Sequence, residues 1–221
     1  MIDLDHQEGV FVLRMQNGEN RFNLDFFAAF NAALDEVEST EGPAALVTTG
    51  EGKFYTNGLD LSWLLSADAA QQQEFNREIH RFLLRMLTFP MATVAAINGH
   101  VFAAGAIAAM AQDFRVMRSD RGFFCLPEVD IKVPFTPGVM GIVKERIDAQ
   151  ALHGAVLTGR RIAGEEAVAL RIADLTVPEA EVLPRAIEMA SALCEKDRAT
   201  MAALKRGMYP DLVAVLESAS R

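Results

Sequence analysis

Residues 97–107 read INGHVFAAGAI and pass from an apolar strand, through a loop of small side chains, into a helix. The asparagine–glycine pair at 98–99 ends the strand, and the helix is predicted to begin near Ala104. The N-terminus of a helix presents unpaired N–H groups and partial positive charge, and small side chains let a ligand approach that backbone. Such a junction meets the requirements of an oxyanion hole, although most junctions of this kind serve packing alone.

A second junction lies upstream, at residues 53–61, where the sequence is KFYTNGLDL. A strand runs into Gly58, which tolerates backbone angles that other residues avoid, and Asp60 is a suitable N-cap for the helix that follows. A chain that turns this sharply can expose a backbone N–H group to a ligand. The same pattern is typical of a purely structural turn, so by itself it leaves both interpretations open.

A carboxylate lies inside the strongly apolar stretch FFCLPEVDI, residues 123–131. Burial disfavours the charged form of a carboxyl group, which raises its pKa and makes Glu128 a suitable base near neutral pH. Asp130 is the reserve candidate: an extended segment would place it near Glu128, whereas a turn would point it to solvent. We expect Asp130 to be a structural or surface carboxylate, and Cys125 to be buried and inert.

Strands and helices alternate around these three stretches. Apolar strands are predicted at residues 10–13, 44–47, 92–97 and 114–117, and helices at 26–37, 69–87 and 104–111. This alternation predicts an α/β fold and continues to about residue 177. Beyond it the chain is predicted to be helical at 179–195 and 198–218, with Gly207 and Pro210 bending or splitting the last helix.

The composition limits the classes of function. The chain has 221 residues, of which 51% are hydrophobic, and a net charge of −9, which argues against general nucleic-acid binding. No apolar run reaches the roughly 18 residues that a membrane span needs, and the first residues lack a secretory pattern. The two cysteines, Cys125 and Cys194, have no metal-ligand spacing, so we expect no metal site and a reducing, cytoplasmic location.

The order and separation of the three stretches resemble those of the crotonase (enoyl-CoA hydratase/isomerase) superfamily. The resemblance rests on the Gly-x-Asp turn at 58–60, the Asn-Gly loop with its small triplet at 98–105, and the Pro-Glu pair at 127–128. It implies a spiral of ββα turns over residues 1–177 and a helical part over 178–221. It also implies an acyl-CoA thioester as substrate, no separate cofactor, and assembly into homotrimers or hexamers.

The resemblance assigns roles to individual residues. The backbone N–H groups of Leu59 and Ala104 would stabilise a thioester enolate, and Glu128 would be the catalytic acid/base. By the same resemblance, the substrate would contact a wider set of residues: Arg21, Phe22, Gly58, Asp60, Trp63, Gly105 and Ile107. Arg21 would meet a CoA phosphate or be a solvated loop arginine, and Trp63 would line the acyl pocket or belong to the core.

Two departures from the family pattern bear on the reaction. Ala103-Ala104-Gly105 replaces the usual glycine-rich triplet, and an alanine that needed a positive φ there would be strained. Ile107 stands where family hydratases carry the first of two glutamates, and Glu128 matches the second. Hydration needs one group to hold water and another to deliver a proton, whereas a 1,3 double-bond shift needs one base. The resemblance therefore favours the Δ3-Δ2-enoyl-CoA isomerase branch.

Three alternatives stay open at this point. One is enoyl-CoA hydration, and another is a different activity of the superfamily, such as dienoyl-CoA isomerisation or thioester hydrolysis with Asp130 taking part. The third is a non-catalytic acyl-CoA-binding module.

Several other polar residues have expected positions. His100 is expected to bond to backbone within its loop, and His80 to be solvated on the polar side of helix 69–87. Lys205 and Arg206 are weaker candidates for contacting CoA, and otherwise are expected on the exposed face of the last helix.

Overall fold

The computed structural model describes all 221 residues. The nine strands are β1 (Ile2–Gln7), β2 (Val10–Met15), β3 (Ala45–Gly50), β4 (Phe54–Thr56), β5 (Ala92–Ile97), β6 (His100–Phe102), β7 (Phe114–Arg118), β8 (Phe124–Cys125) and β9 (Leu175–Val177). The eleven helices are α1 (Leu24–Ser39), α2 (Leu61–Ser66), α3 (Ala69–Leu87), α4 (Ala104–Ala111), α5 (Glu128–Ile131), α6 (Pro137–Arg146), α7 (Ala149–Thr158), α8 (Gly164–Ala169), α9 (Glu179–Ser191), α10 (Arg198–Met208) and α11 (Pro210–Ala219).

The strands form two sheets of different size. The larger has six strands in the order β1-β2-β3-β5-β7-β9, and its pairs are parallel except for the antiparallel pair β1–β2. The smaller has three parallel strands in the order β4-β6-β8. Three consecutive stretches of chain each place one strand in the large sheet, one in the small sheet, and then a helix. This repeat is the ββα spiral that the family resemblance implies.

The large sheet is apolar on both faces, and the period of two along each strand divides its side chains between two cores. In β2, Phe11 and Leu13 belong to the main core, which includes a cluster of phenylalanines from α1 and α3. Val10 and Val12 face the other way, into a smaller core that α9 covers. The helix after residue 178 is therefore needed to bury the second face of the sheet.

Three elements have the predicted bounds, and others differ: β3 ends at Gly50 instead of residue 47, and β6 lies in a segment predicted to be a loop. α3, β5 and α4 begin and end where the sequence predicts, and Asp68 with Gln71 forms a capping box at the start of α3. The predicted alternation of strands and helices up to residue 177 is wrong after β8, because α5, α6, α7 and α8 follow one another without a strand. α9 ends at Ser191 instead of residue 195. The last predicted helix is split at Tyr209, between Gly207 and Pro210, as the sequence predicts.

The C-terminal helices fold back onto the same chain, and Lys205 anchors them there. Lys205 is 4% exposed and donates hydrogen bonds to the carboxylate of Asp113 at 2.6 Å and to the carbonyl of Met91 at 2.7 Å. Both expectations for Lys205, a contact with CoA and an exposed position, are therefore wrong. Arg206 does lie on the exposed face, where it pairs with Glu217. None of the helices combines the length and apolar character that crossing a membrane requires.

Candidate active site

A mostly apolar cavity of about 170 Å³ lies beside the C-terminal ends of the three small-sheet strands. Because parallel strands end at the same edge of a sheet, the segments after β4, β6 and β8 meet there. The helix α3 and the segment between α5 and α6 supply the rest of the wall. The lining residues are Asn57, Leu59, Leu61, Phe75, Asn76, Ile79, His80, Leu83, Ala103, Ala104, Ile107, Glu128, Ile131, Val133, Pro134, Phe135, Thr136 and Val139.

The turn after β4 leaves one backbone N–H without a partner. Leu59 forms a parallel bridge with Phe22, in which Phe22 N–H donates to the Gly58 carbonyl at 2.7 Å and Asp60 N–H donates to the Phe22 carbonyl at 2.9 Å. In this pattern the N–H of Leu59 itself points away from Phe22, and it donates to no acceptor in the protein. The carboxylate of Asp60 then caps α2 by accepting from Trp63 N–H at 3.1 Å.

A second unpartnered N–H, that of Ala104, begins the helix after β6. Ala104 is the first residue of α4, and a first-turn N–H has no acceptor inside its own helix. Gly58 brings the two N–H groups together, because a Cβ there would lie 2.9 Å from the Phe102 carbonyl and 3.1 Å from the Ala104 nitrogen. Gly105 allows the same close approach one residue later, where a Cβ would collide with the side chain of Thr56.

The backbone at Ala103 is strained. Its φ of 51° and ψ of −129° are those of the first central position of a type II′ turn, which glycine normally occupies. Ala103 is also the residue before α4, so its conformation sets the direction of the Ala104 N–H. Strain of this kind persists where the surrounding structure enforces it and is concentrated at functional sites.

Glu128 follows β8 and Pro127 as the first residue of the short helix α5. Its side chain is 9% exposed, and its Oε2 atom has no hydrogen-bond partner. Burial raises the pKa of Glu128 from 4.5 to about 7, and a hydrogen bond to its own backbone opposes that shift. The group is thus a carboxyl that changes charge near neutral pH inside an apolar cavity.

Comparison with known proteins agrees with this arrangement. The family model described as enoyl-CoA hydratase/isomerase matches residues 5–220. The chain belongs to this family. The chain is 32% identical to enoyl-CoA delta isomerase 3 of Arabidopsis thaliana over 98% of its own length and 95% of that protein's. It is 30% identical to carnitinyl-CoA dehydratase of Salmonella paratyphi A over 81% of its length and 68% of that protein's.

The fold of the enoyl-CoA hydratase/isomerase family is shared over the whole chain. The structure of human mitochondrial delta3-delta2-enoyl-CoA isomerase superposes with a TM-score of 0.90, covers 99% of this chain and 88% of the human one, and is 20% identical. The two departures predicted from the sequence are both present at the site. Ala103 has the positive φ, and Ile107 lines the cavity in which Glu128 is the one carboxylate.

The structure brings four of the predicted site residues into the cavity wall: Leu59, Ala104, Ile107 and Glu128. Gly58, Asp60 and Gly105 lie behind that wall and shape its backbone. Trp63 does not line the cavity, but it packs on Phe75, which does.

Three other expectations have different outcomes. Phe22 is 2% exposed and belongs to the phenylalanine core, so its predicted contact with substrate is wrong. Arg21 lies outside the cavity, where it pairs with Glu19, and its contact with CoA stays a prediction. Asp130 is exposed on α5, as expected for a surface carboxylate.

The prediction that His80 is solvated is wrong, since it is 6% exposed and lines the cavity. α3 has two buried faces. Phe75 and Phe82 pack against α1, and a second face that includes His80 is directed to the cavity and α6. The apolar stripe predicted for α3 includes Ile79 and Leu83, which also line the cavity, but a histidine does not count as apolar and so His80 was not marked. Asn57 also lines the cavity and was not predicted from the sequence. Its position directly before Gly58 was the signal that could have identified it.

Proposed function

We propose that this protein shifts the double bond of a 3-enoyl-CoA to give 2-trans-enoyl-CoA. The observation that carries the proposal is a cavity with one carboxylate, Glu128, and with Ile107 in the wall. By the family resemblance, hydratases carry a second glutamate at the position of Ile107. Isoleucine neither holds water nor delivers a proton, so the remaining chemistry is that of one base.

Glu128 removes a proton from C2 of the substrate and returns it to C4. Negative charge develops on the thioester oxygen between these steps, and the N–H groups of Leu59 and Ala104 stabilise it; losing one such donor typically costs about 2.7–4 kcal/mol. A pKa of about 7 lets Glu128 both accept and return a proton near neutral pH. The apolar lining keeps water away from the proton while the carboxyl carries it.

Hydration is the second candidate reaction. A relative at 30% identity is named a dehydratase, and dehydration is the reverse of hydration. The cavity offers the polar side chains of Asn57, Asn76 and Thr136, any of which could hold a water molecule. The 32% identical relative named an isomerase, which covers more of both chains, supports the double-bond shift instead.

The test is to give the purified protein a 3-enoyl-CoA and a 2-enoyl-CoA separately and to identify the products by chromatography. We expect the 3-enoyl thioester to become the 2-enoyl thioester without 3-hydroxyacyl product. Glu128→Gln should abolish this conversion, with a loss on the order of 10²–10⁴-fold, while acyl-CoA binding is retained. Rapid formation of 3-hydroxyacyl-CoA would instead establish hydration, and tight binding without turnover would indicate a binding module.

A further inference from the structure

His80 connects two helices of the cavity wall through both of its ring nitrogens. Its Nδ1 atom lies 2.5 Å from the Asn76 carbonyl, which can only accept, so Nδ1 carries the proton. In the neutral ring Nε2 is then the acceptor, and the hydroxyl of Thr136 donates to it at 2.9 Å. The Thr136 oxygen also accepts from Val139 N–H at 3.4 Å at the start of α6. One hydroxyl therefore caps α6 and ties it to α3.

The segment between Glu128 and Thr136 covers the cavity from the solvent side. Its apolar side chains at Ile131 and Val133 line the cavity although they are 42% and 37% exposed. We name residues 131–136 the flap. Val133 N–H donates to the Glu128 carbonyl at 3.0 Å and holds the first end of the flap. The bond between Thr136 and His80 holds the other end.

The contact between His80 and α6 is close-packed. A Cβ at Gly138 would lie 3.5 Å from Cδ2 of His80 and 2.6 Å from a methyl group of Leu216 on α11. α6 is therefore seated directly against α3 and α11, and His80 lies in that contact. No residue of the flap is buried, and Phe135 alone is half-buried. Such segments open easily unless their ends are fixed.

We propose that His80 is a positioning residue that latches the flap over Glu128 through the hydroxyl of Thr136. This inference rests on the isomerisation proposed above, because it assigns the latch to keeping water away from the base during proton transfer. His80 touches neither reacting carbon in this scheme. Its effect on the reaction passes through Thr136 and the flap.

Two variants at position 80 form a matched pair. The amide oxygen of His80→Gln can accept from the Thr136 hydroxyl, whereas the side chain of His80→Asn is too short to reach it. We expect the Gln variant to behave as the wild type. In the Asn variant kcat should fall by about tenfold or more with little change in KM. Glu128 would be displaced and exposed to water, while the contacts with CoA are unchanged.

The pH profile separates this role from simple loss of stability. In the Asn variant the midpoint of kcat/KM should move from about 7 toward the ordinary carboxyl value of 4.5, because water then reaches Glu128. Cys125 on β8 and Asp130 on α5, titratable side chains near this site, are unchanged in every variant. Thr136→Val and Thr136→Ser repeat the comparison at the other end of the hydrogen bond. The serine hydroxyl keeps both the bond to His80 and the cap of α6, and valine loses both.

A direct titration keeps the latch distinct from the proposed reaction. The carboxyl carbon of Glu128 is labelled with ¹³C, assigned with Glu128→Gln, and followed by NMR in each folded variant. A lowered midpoint in His80→Asn and Thr136→Val, absent in His80→Gln and Thr136→Ser, supports the latch even if the wild type isomerises nothing. The same midpoint in all four variants would overturn it, as would a fall in kcat that follows the melting temperature alone.

Discussion

At the scale of single residues, Glu128 is a carboxyl group that the fold keeps from water without giving Oε2 a partner. A buried polar atom without a hydrogen bond costs the folded state free energy, on the order of 1–3 kcal/mol. The structure offers no compensating ion pair at Glu128, since burial is the cause of its raised pKa. A buried carboxyl group with a raised pKa and no ion pair is typical of a functional site.

Stability should therefore depend on pH through Glu128. Its pKa is about 7 in the folded protein against 4.5 as the ordinary value, so the folded state binds more protons between these pH values. The free energy of unfolding should fall across this window by about 3 kcal/mol and then stay level. Glu128→Gln should remove this loss. In urea unfolding, the free energy of unfolding of the variant should therefore rise relative to that of the wild type between pH 4.5 and pH 8. The same difference between variant and wild type at pH 4.5 and at pH 8 would contradict the burial of an ionisable group.

The strain at Ala103 gives a second prediction at this scale. Ala103→Gly should raise the free energy of unfolding by about 1 kcal/mol, because relief of the positive φ exceeds the added entropy of the unfolded chain. In a protein of this size that corresponds to a rise in melting temperature of about 2–4 °C. Ala104→Gly is the control: it has no positive φ to relieve and should lower the melting temperature.

The sequence predicted which groups line the cavity at the ends of the three small-sheet strands, and it did not predict the contact between His80 and Thr136. Leu59, Ala104 and Glu128 each follow a short apolar segment at a glycine, small-residue or proline junction, which marks them locally. His80 contacts Thr136, which is 56 positions away in the chain. No local pattern carries that information.

At the scale of elements, the site is the common C-terminal edge of β4, β6 and β8. Each of these strands ends in a segment that supplies one group: Leu59 N–H, Ala104 N–H or the Glu128 carboxyl. The spiral thus repeats one unit three times, and each repeat contributes to the same place. This arrangement explains why three stretches separated in the sequence had to be interpreted together.

The anchoring of α10 can be tested by a matched pair of substitutions. Lys205→Met removes one partner of a buried ion pair and should cost about 3–5 kcal/mol of unfolding free energy. Arg206→Met removes an exposed pair with Glu217 and should cost less than about 1 kcal/mol. Urea unfolding measures both. Equal costs would mean that Lys205 does not hold the C-terminal helices to the core.

Periodicity predicted the long elements and failed for the short ones. α3 and α4 have strong patterns and flanking breaks, so their bounds agree with prediction. α5 has four residues, too few for a periodic pattern, and the sequence predicts further strand–helix alternation where residues 128–169 form only helices. The pairing of β4, β6 and β8 into a separate sheet depends on contacts between distant segments. Local sequence does not encode such contacts.

At the scale of the whole molecule, every group that the proposed reaction needs comes from one chain. The two N–H donors, the base, the flap and α3 surround a single cavity, and α11 packs behind α3 and α6 of the same chain. The order of three motifs was enough to predict this fold, because they occur once each and in sequence along the spiral. The identity of the reaction depends on one position, Ile107, and on the absence of a second carboxylate from the lining.

The central claim is that one carboxyl group removes a proton from C2 and returns it to C4. The most direct test uses a 3-enoyl-CoA deuterated at C2 in ordinary water, with the 2-enoyl product examined by mass spectrometry and NMR. We predict deuterium at C4 in a substantial fraction of the product, since Glu128 carries it from C2 to C4 in a mostly apolar cavity. Product without deuterium at C4 would contradict the return of the C2 hydrogen to C4, because the hydrogen delivered there would then come from water.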